Sequence, residues 1–342
     1  MNKEWRGQDY YGRPQLKAAP FNTWVVGGYM FLAGLGGKAS ILSAIADVVR
    51  PGSETVVRNG RYVPLIVPTL GAALLVWDLH TPQRFYNMFR VAKGTSPMSI
   101  GTWILSGFSL FSGASAGLQF LADRRGGKTG MAAMAAHIPA AVFGAGMGTY
   151  TSALLAATST PLWAAAPRAL AMRFAAASVA SGGASLSLLE EEGPTRRALD
   201  AVTAVALASE LVFGSAQSRA YRQKGVAGAI AGGHEAGQML GAALPLGLYA
   251  LSALRGGGGN LSRVAGLLAL GGAFLLRVST MQAGNRSASD PQISFRFAQP
   301  DNLQPDNLEP VRRPRVRGRR RAARRARVTA GSPRSGRPPP SG

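Results

Sequence analysis

Asp78, Tyr150, Arg168, Arg173, Glu210, His234, Glu235 and Arg277 stand inside long apolar stretches of the chain or at their ends. Ionisable groups in such surroundings are costly, so each calls for a partner or a task. A carboxylate there is paired or is protonated by desolvation, and Arg173 and Arg277 are the candidate partners for Glu210. Tyr150 follows a run containing Gly144, Gly146 and Gly148. Those glycines either let helices pack closely or leave room beside a phenol that donates a hydrogen bond to a buried carbonyl. Asp78 has an equally plain alternative, which is to snorkel at an interface. Carboxylates, an imidazole and a phenol gathered in one place are what is needed to hold a carbonyl ligand and to move protons to and from it.

The elements that must position them are apolar helices. Hydrophobic residues make up 46% of the 342 residues and charged residues only 16%, where soluble chains carry about 25% charge. A bilayer core needs about 20 mostly apolar residues per helix. Eight segments qualify: residues 22–47, 62–79, 98–123, 131–158, 164–189, 199–218, 227–254 and 264–283. They lack the polar faces at helical period that a soluble bundle would show, and they are crowded with the small residues that let membrane helices approach. The expected fold is an all-α membrane protein of eight transmembrane helices in two four-helix bundles. A polar segment (1–21) precedes the transmembrane domain (22–285), and a disordered, Arg- and Pro-rich tail (286–342) follows it. The first 21 residues hold no short apolar stretch before a cleavage site, so the first span reads as a permanent anchor.

Eight spans put both termini on one face, here called side A. By depth and direction, Asp78, Tyr150, Arg168, Arg173, Glu210, His234, Glu235 and Arg277 all fall toward side A, whereas Lys38, His137 and Asp200 fall toward side B. Flanking Lys and Arg divide evenly between the faces, and only the basic tail favours a cytoplasmic side A. Much of the net charge of +22 sits in that tail. With little aromatic interleaving it suits anionic lipid or a protein partner, and no nucleic acid is expected.

Several chemistries lack their residues. With no cysteine the chain holds no disulfide, thiolate-bound zinc or iron–sulfur cluster. Of the three histidines, His80, His137 and His234, only His80 and His234 share a side, which argues against a haem pair. There is no Walker loop or Rossmann fingerprint. Gly113-Ala114-Ser115-Ala116-Gly117 has the letters of a nucleophile elbow but lies within an apolar span.

Trp77-Asp78-Leu79-His80-Thr81-Pro82-Gln83-Arg84-Phe85, followed by Thr95-Ser96-Pro97-Met98-Ser99-Ile100-Gly101-Thr102-Trp103, resembles the paired signature of the NrfD/PsrC family, the membrane subunits of polysulfide-reductase-type complexes, with His80 where glycine is usual. Three further stretches are similar to family elements: Tyr29 to Leu35; Gly148 to Leu155 with Pro161-Leu162-Trp163, where Ser152 replaces a glycine; and Arg277 to Gly284. The resemblance spans about residues 22 to 290. It implies a multi-pass subunit of a prokaryotic cytoplasmic membrane that carries no haem or metal. Such a subunit exchanges electrons between a quinone, menaquinone or ubiquinone, and a docked ferredoxin-like iron–sulfur subunit serving a molybdopterin-type catalytic subunit. On that reading Tyr150, Tyr29, Asp78, Arg84, Ser99 and Trp103 belong to the quinone site. Asp78, Glu210 and His234 are candidates for proton transfer, and Arg84 with Ser96–Ser99 holds the loop at the pocket mouth, where the partner docks. Two other readings are a secondary transporter of a small solute, which also keeps polar groups within the membrane, and a structural anchor without quinone chemistry.

Overall fold

The computed structural model describes residues 16–49, 54–79, 81–126, 131–230 and 234–298, the side chains of His234 and Glu235 excepted. Among these residues every regular element is helical. Helix α1 (Thr23–Val49) opens the body. The second passage starts as α2 (Glu54–Tyr62), earlier than the apolar run suggested, and ends as α3 (Ala72–Trp77). Between them Pro64 and Pro68 withdraw backbone donors, and the helix tightens into a 3-10 turn (Val63–Leu65) and widens into a π turn (Val67–Gly71). Helix α4 (Pro97–Arg125) is capped at its start by the Ser96 hydroxyl, which accepts from the Ser99 amide, and stops at left-handed Gly126.

The fourth passage is broken into α5 (Met131–Met147) and α6 (Tyr150–Ala156) at Gly148-Thr149. After α7 (Pro161–Ala165) come α8 (Pro167–Leu188), α9 (Pro194–Gln223), α10 (His234–Leu254) and α11 (Gly259–Ser289). The last described element is α12 (Pro291–Ala298), in which Ile293 and Ser294 are buried. Residues 286–298, assigned by composition to the tail, are thus helical except Asp290, with α12 packed on α7 and α11. The rest of the tail, from residue 299, lies outside the described residues.

Among the described residues, seven stretches are long and apolar enough to cross a membrane: Thr23–Val49, Glu54–Trp77, Pro97–Arg125, Met131–Ala156, Pro194–Gln223, Ala236–Leu254 and Gly259–Ser289. The segment expected as the fifth span is α8, which is not among them. Its 22 residues include Arg168 and Arg173 and many Ala, Ser and Gly. Most of α8 is buried against α1, α9 and α11. A helix that meets protein on most sides does not need the apolarity that lipid demands.

Packing neighbours follow two closed circuits. One joins α1 to α2, α2 to α4, α4 to α5 and α5 back to α1; the other joins α8, α9, α10 and α11 in turn. Helix α1 also lies against α8 and α11 and so links them. The tightest approaches use glycine. A Cβ added at Gly37 of α1 would stand 2.6 Å from the Gly144 carbonyl oxygen of α5 and 2.8 Å from the Met147 Cβ. Overpacking of this kind costs about 1–3 kcal/mol. Gly37→Ala is therefore expected to lower stability by about that amount, while Gly113→Ala, where a Cβ meets nothing within 4 Å, carries no such cost and keeps or slightly raises stability. Equilibrium unfolding in mixed micelles reads the difference, and equal effects would contradict this packing.

Candidate functional site

Tyr29 of α1 and Tyr150 at the start of α6 are hydrogen-bonded to each other through their hydroxyls. The break before α6 is what turns Tyr150 toward α1 and α4. At Gly148-Thr149 the Thr149 amide bonds to the Gly146 carbonyl rather than to that of Ala145, and the Lys38 ammonium donates to Ala145 O at 3.1 Å. A Cβ at Gly148 would lie 2.8 Å from Lys38 Cε, so the glycine leaves room for that contact. The Ser152 hydroxyl then donates to Thr149 O at 2.6 Å and closes the first turn of α6. Room beside the phenol itself comes from α4: a Cβ at Gly101 would stand 2.6 Å from the Tyr150 ring. Val67, Phe108 and Met147 are buried in the same cluster, with Leu75, Ile104 and Phe143 packed against it.

Asp78 lies just past the end of α3, beside the start of α1. Its Oδ1 accepts from the Asn22 amide at 3.1 Å, and Asn22 Oδ1 in turn accepts from the Trp24 amide at 3.0 Å. The second carboxylate oxygen, Oδ2, is buried and has no hydrogen-bond partner among the described residues. Tyr29 is seven residues beyond Asn22, about 10 Å deeper along the helix. The carboxylate therefore sits at the side A end of the span and the phenol pair below it.

The remaining residues of the expected quinone set divide by role. Ser99 Oγ donates to Val91 O at 2.8 Å and accepts from the Lys93 amide at 2.9 Å, so it ties down the connection between α3 and α4. Arg84 is exposed on the 3-10 segment Pro82–Arg90, and Trp103 points outward from α4. His80 lies outside the described residues; His234 heads α10, with its side chain likewise undescribed.

Glu210 is elsewhere. It is buried on α9 with its Oε1 4.0 Å from Arg173 Nε. Arg173 Nη1 donates to Gln217 Oε1 at 3.0 Å and to Gln238 Oε1 at 2.9 Å. Gln217 donates to Tyr221 OH at 2.6 Å, and Gln238 donates to Ser279 Oγ at 2.6 Å. Arg277 does not join Glu210 directly. Its guanidinium donates to the carbonyls of Ala273 and Phe174, both at 3.0 Å, and to Ser178 Oγ at 2.8 Å, over the Phe174 ring. This is a second polar centre, built from α8, α9, α10 and α11. A third, toward side B, links Arg61 to Gln119 and Asp47, and Asp123 to Gln119, Tyr62 and Arg58. An apolar groove of about 480 Å³ between α8 and α9, lined by Met172, Val179, Val202, Val205 and Phe213, holds none of these groups.

The structure thus brings Tyr29 together with Tyr150, sets Asp78 above them and separates Glu210 from both. Gly101, Gln217 and Gln238 carry parts of these centres that were not singled out from residue type. Gly101 lay within the signature stretch; the glutamines, beside Arg219 and Glu235 near span ends, belong to no motif.

The sequence profile of the family described as Polysulphide reductase, NrfD matches residues 15–198. That is more than half of the chain. It takes in Tyr29, Asp78, Arg84, Ser99, Trp103 and Tyr150 and stops short of Glu210. No curated protein matches the chain.

Removing one member of a buried ion pair leaves the other uncompensated, at a cost of about 3–5 kcal/mol. Glu210→Ala is expected to destabilise the chain by about 3 kcal/mol, read by equilibrium unfolding in mixed micelles. A variant as stable as the wild type would show that Glu210 does not hold Arg173 in place.

Proposed function

The chain belongs to the polysulphide reductase NrfD family, and we propose that it is the quinone-reactive membrane subunit of a redox complex. On this reading α8 is an eighth crossing, and the two circuits of neighbours are two four-helix bundles. The quinone headgroup enters from side A and meets the Tyr29–Tyr150 pair. Electrons pass to a ferredoxin-like iron–sulfur subunit docked on that face, which serves a molybdopterin-type subunit. The cell membrane of a prokaryote is the expected location.

The observation that carries this reading is the phenol pair beneath a buried, unpartnered carboxylate oxygen. Two phenols bonded to each other can exchange that bond for one to a carbonyl oxygen at little cost, because each is both donor and acceptor. A quinol gives up two electrons and two protons when it is oxidised. Tyr150 holds the ligand oxygen, and Tyr29 offers the hydroxyl that relays a proton from it. Asp78, about 10 Å nearer the span end, takes the two protons one after the other through Oδ2, by way of water entering from side A. It releases each to that side, while Oδ1 stays on the Asn22 amide. Phe108, Met147 and Val67 keep the rest of the phenols' surroundings apolar. Ser99 fixes the connection that covers this end of the site.

A small-solute permease is the second reading. The broken α5–α6 passage and the Arg173–Glu210 centre favour it, since such transporters bind between broken helices. A permease would not require the phenol pair for electron transfer.

Quinol oxidation by the reconstituted complex separates the two, with subunit assembly checked in parallel. Tyr150→Phe keeps the ring and loses one hydrogen bond worth about 1 kcal/mol, so turnover should fall at least about fivefold. Asp78→Asn keeps the shape but cannot take a proton, and loss of such a group costs on the order of a hundredfold in rate. Variants that both assemble and turn over at the wild-type rate would place the site elsewhere.

A further inference from the structure

The connection between α3 and α4 has a pattern that neither the phenol pair nor the bundle explains. Pro82–Arg90 is a 3-10 helix, and with three residues per turn its side chains fall into three rows. Arg84, Asn87 and Arg90 form one row, consistent with the hydrogen bond from Arg90 to Asn87. Pro82, Phe85 and Met88 form a second row and Gln83, Tyr86 and Phe89 a third, so from Arg84 onward the segment has one polar row and two apolar ones.

The aromatic residues do not turn inward. Phe85, Tyr86 and Phe89 are 43%, 54% and 46% exposed and lie against one another edge to face. The segment packs mainly on α3 and α4, the two helices it joins. Trp77, Met98 and Trp103, on those two helices, are exposed as well. No acidic residue occurs between Asp78 and Asp123, so Arg84, Arg90 and Lys93 act together as an unbalanced positive set. Aromatic rings beside basic side chains at the end of membrane spans suit the layer where acyl chains meet headgroups. Unbalanced positive charge there selects anionic headgroups.

We propose that residues 82–93 are an interfacial anchor, with Phe85, Tyr86 and Phe89 seated among the acyl chains and Arg84, Arg90 and Lys93 on the phosphates of anionic lipid. The anchor holds the side A end of α3, and with it Asp78, at a fixed depth. Its outer face is then a lipid contact and not the docking surface for a partner chain.

The absence of cysteine makes a direct test possible. Single spin labels are placed at Phe89→Cys, at Asn87→Cys and, as an aqueous reference, at Gly94→Cys, where a Cβ meets nothing within 4 Å. The full chain is reconstituted in nanodiscs of phosphatidylcholine with and without phosphatidylglycerol. Collision with oxygen is compared with collision with a water-soluble nickel chelate. In discs containing phosphatidylglycerol, the oxygen-to-nickel ratio is expected to be several-fold higher at position 89 than at position 87 or 94. Adding Arg84→Gln and Arg90→Gln should reduce that ratio in phosphatidylglycerol discs and leave it unchanged in pure phosphatidylcholine. Equal, water-like ratios at 87 and 89 in both lipids would overturn the proposal. So would a label at 89 that becomes shielded only when an iron–sulfur subunit is added, which would make the segment a protein interface.

Discussion

A polar atom inside a bilayer has no water to turn to, and the protein must supply its partner. That constraint decides where this chain can break its helices. The break at Gly148-Thr149 frees the Ala145 carbonyl, and Lys38, itself deep in α1, donates to it, with a longer contact from the Thr149 hydroxyl at 3.5 Å. The carbonyl and the ammonium each cancel a cost the other would otherwise carry. Tyr150, just after the break, faces α1 and α4. The Trp163 indole donates to Thr280 O at 2.9 Å on the same principle, and many Ser and Thr hydroxyls return to their own helices. Against that background the buried Oδ2 of Asp78 is an acceptor left open beside a span end, above a phenol pair that can rearrange.

The same constraint governs how charges deep in the chain are held. Arg173 is met by Glu210 and two glutamines, and Arg277 by carbonyls, a serine and a ring face. These contacts join α8, α9, α10 and α11, where small residues bring the backbones close enough for long side chains to span the gaps. Guanidinium contacts of this kind tie the helices to one another, even though Arg277 Nε itself has no hydrogen-bond partner among the described residues. They also make α8 tolerable as a central helix despite its modest apolarity.

Seven of the eight expected spans correspond to stretches long and apolar enough to cross, because length and hydropathy are local properties of sequence. The exception, α8, is long enough, but its two Arg and many Ser and Gly leave it less apolar than the other seven; its burial against α1, α9 and α11 is the part that hydropathy does not register. Ends were less legible. Helix α9 runs from Pro194 to Gln223, past the apolar core of 199–218, since its charged outer turns need no bilayer. Tyr29 and Tyr150 were legible from the family resemblance, and their hydrogen bond was not, because a contact across 121 residues depends on how α1, α4 and α6 meet. Glu210 was grouped with Asp78 by depth alone. Depth places a residue along the membrane normal and says nothing of which bundle circuit it faces, and Glu210 faces Arg173.

Photolabelling of the assembled complex with an azidoquinone, followed by peptide mapping, tests the central claim most directly. The account predicts adducts on peptides that carry Tyr29, Gly101 or Tyr150, and their loss when excess unlabelled quinone is present. Adducts confined to the Arg173, Glu210 and Gln238 peptides of α8, α9 and α10 would contradict it and move the quinone to the second polar centre.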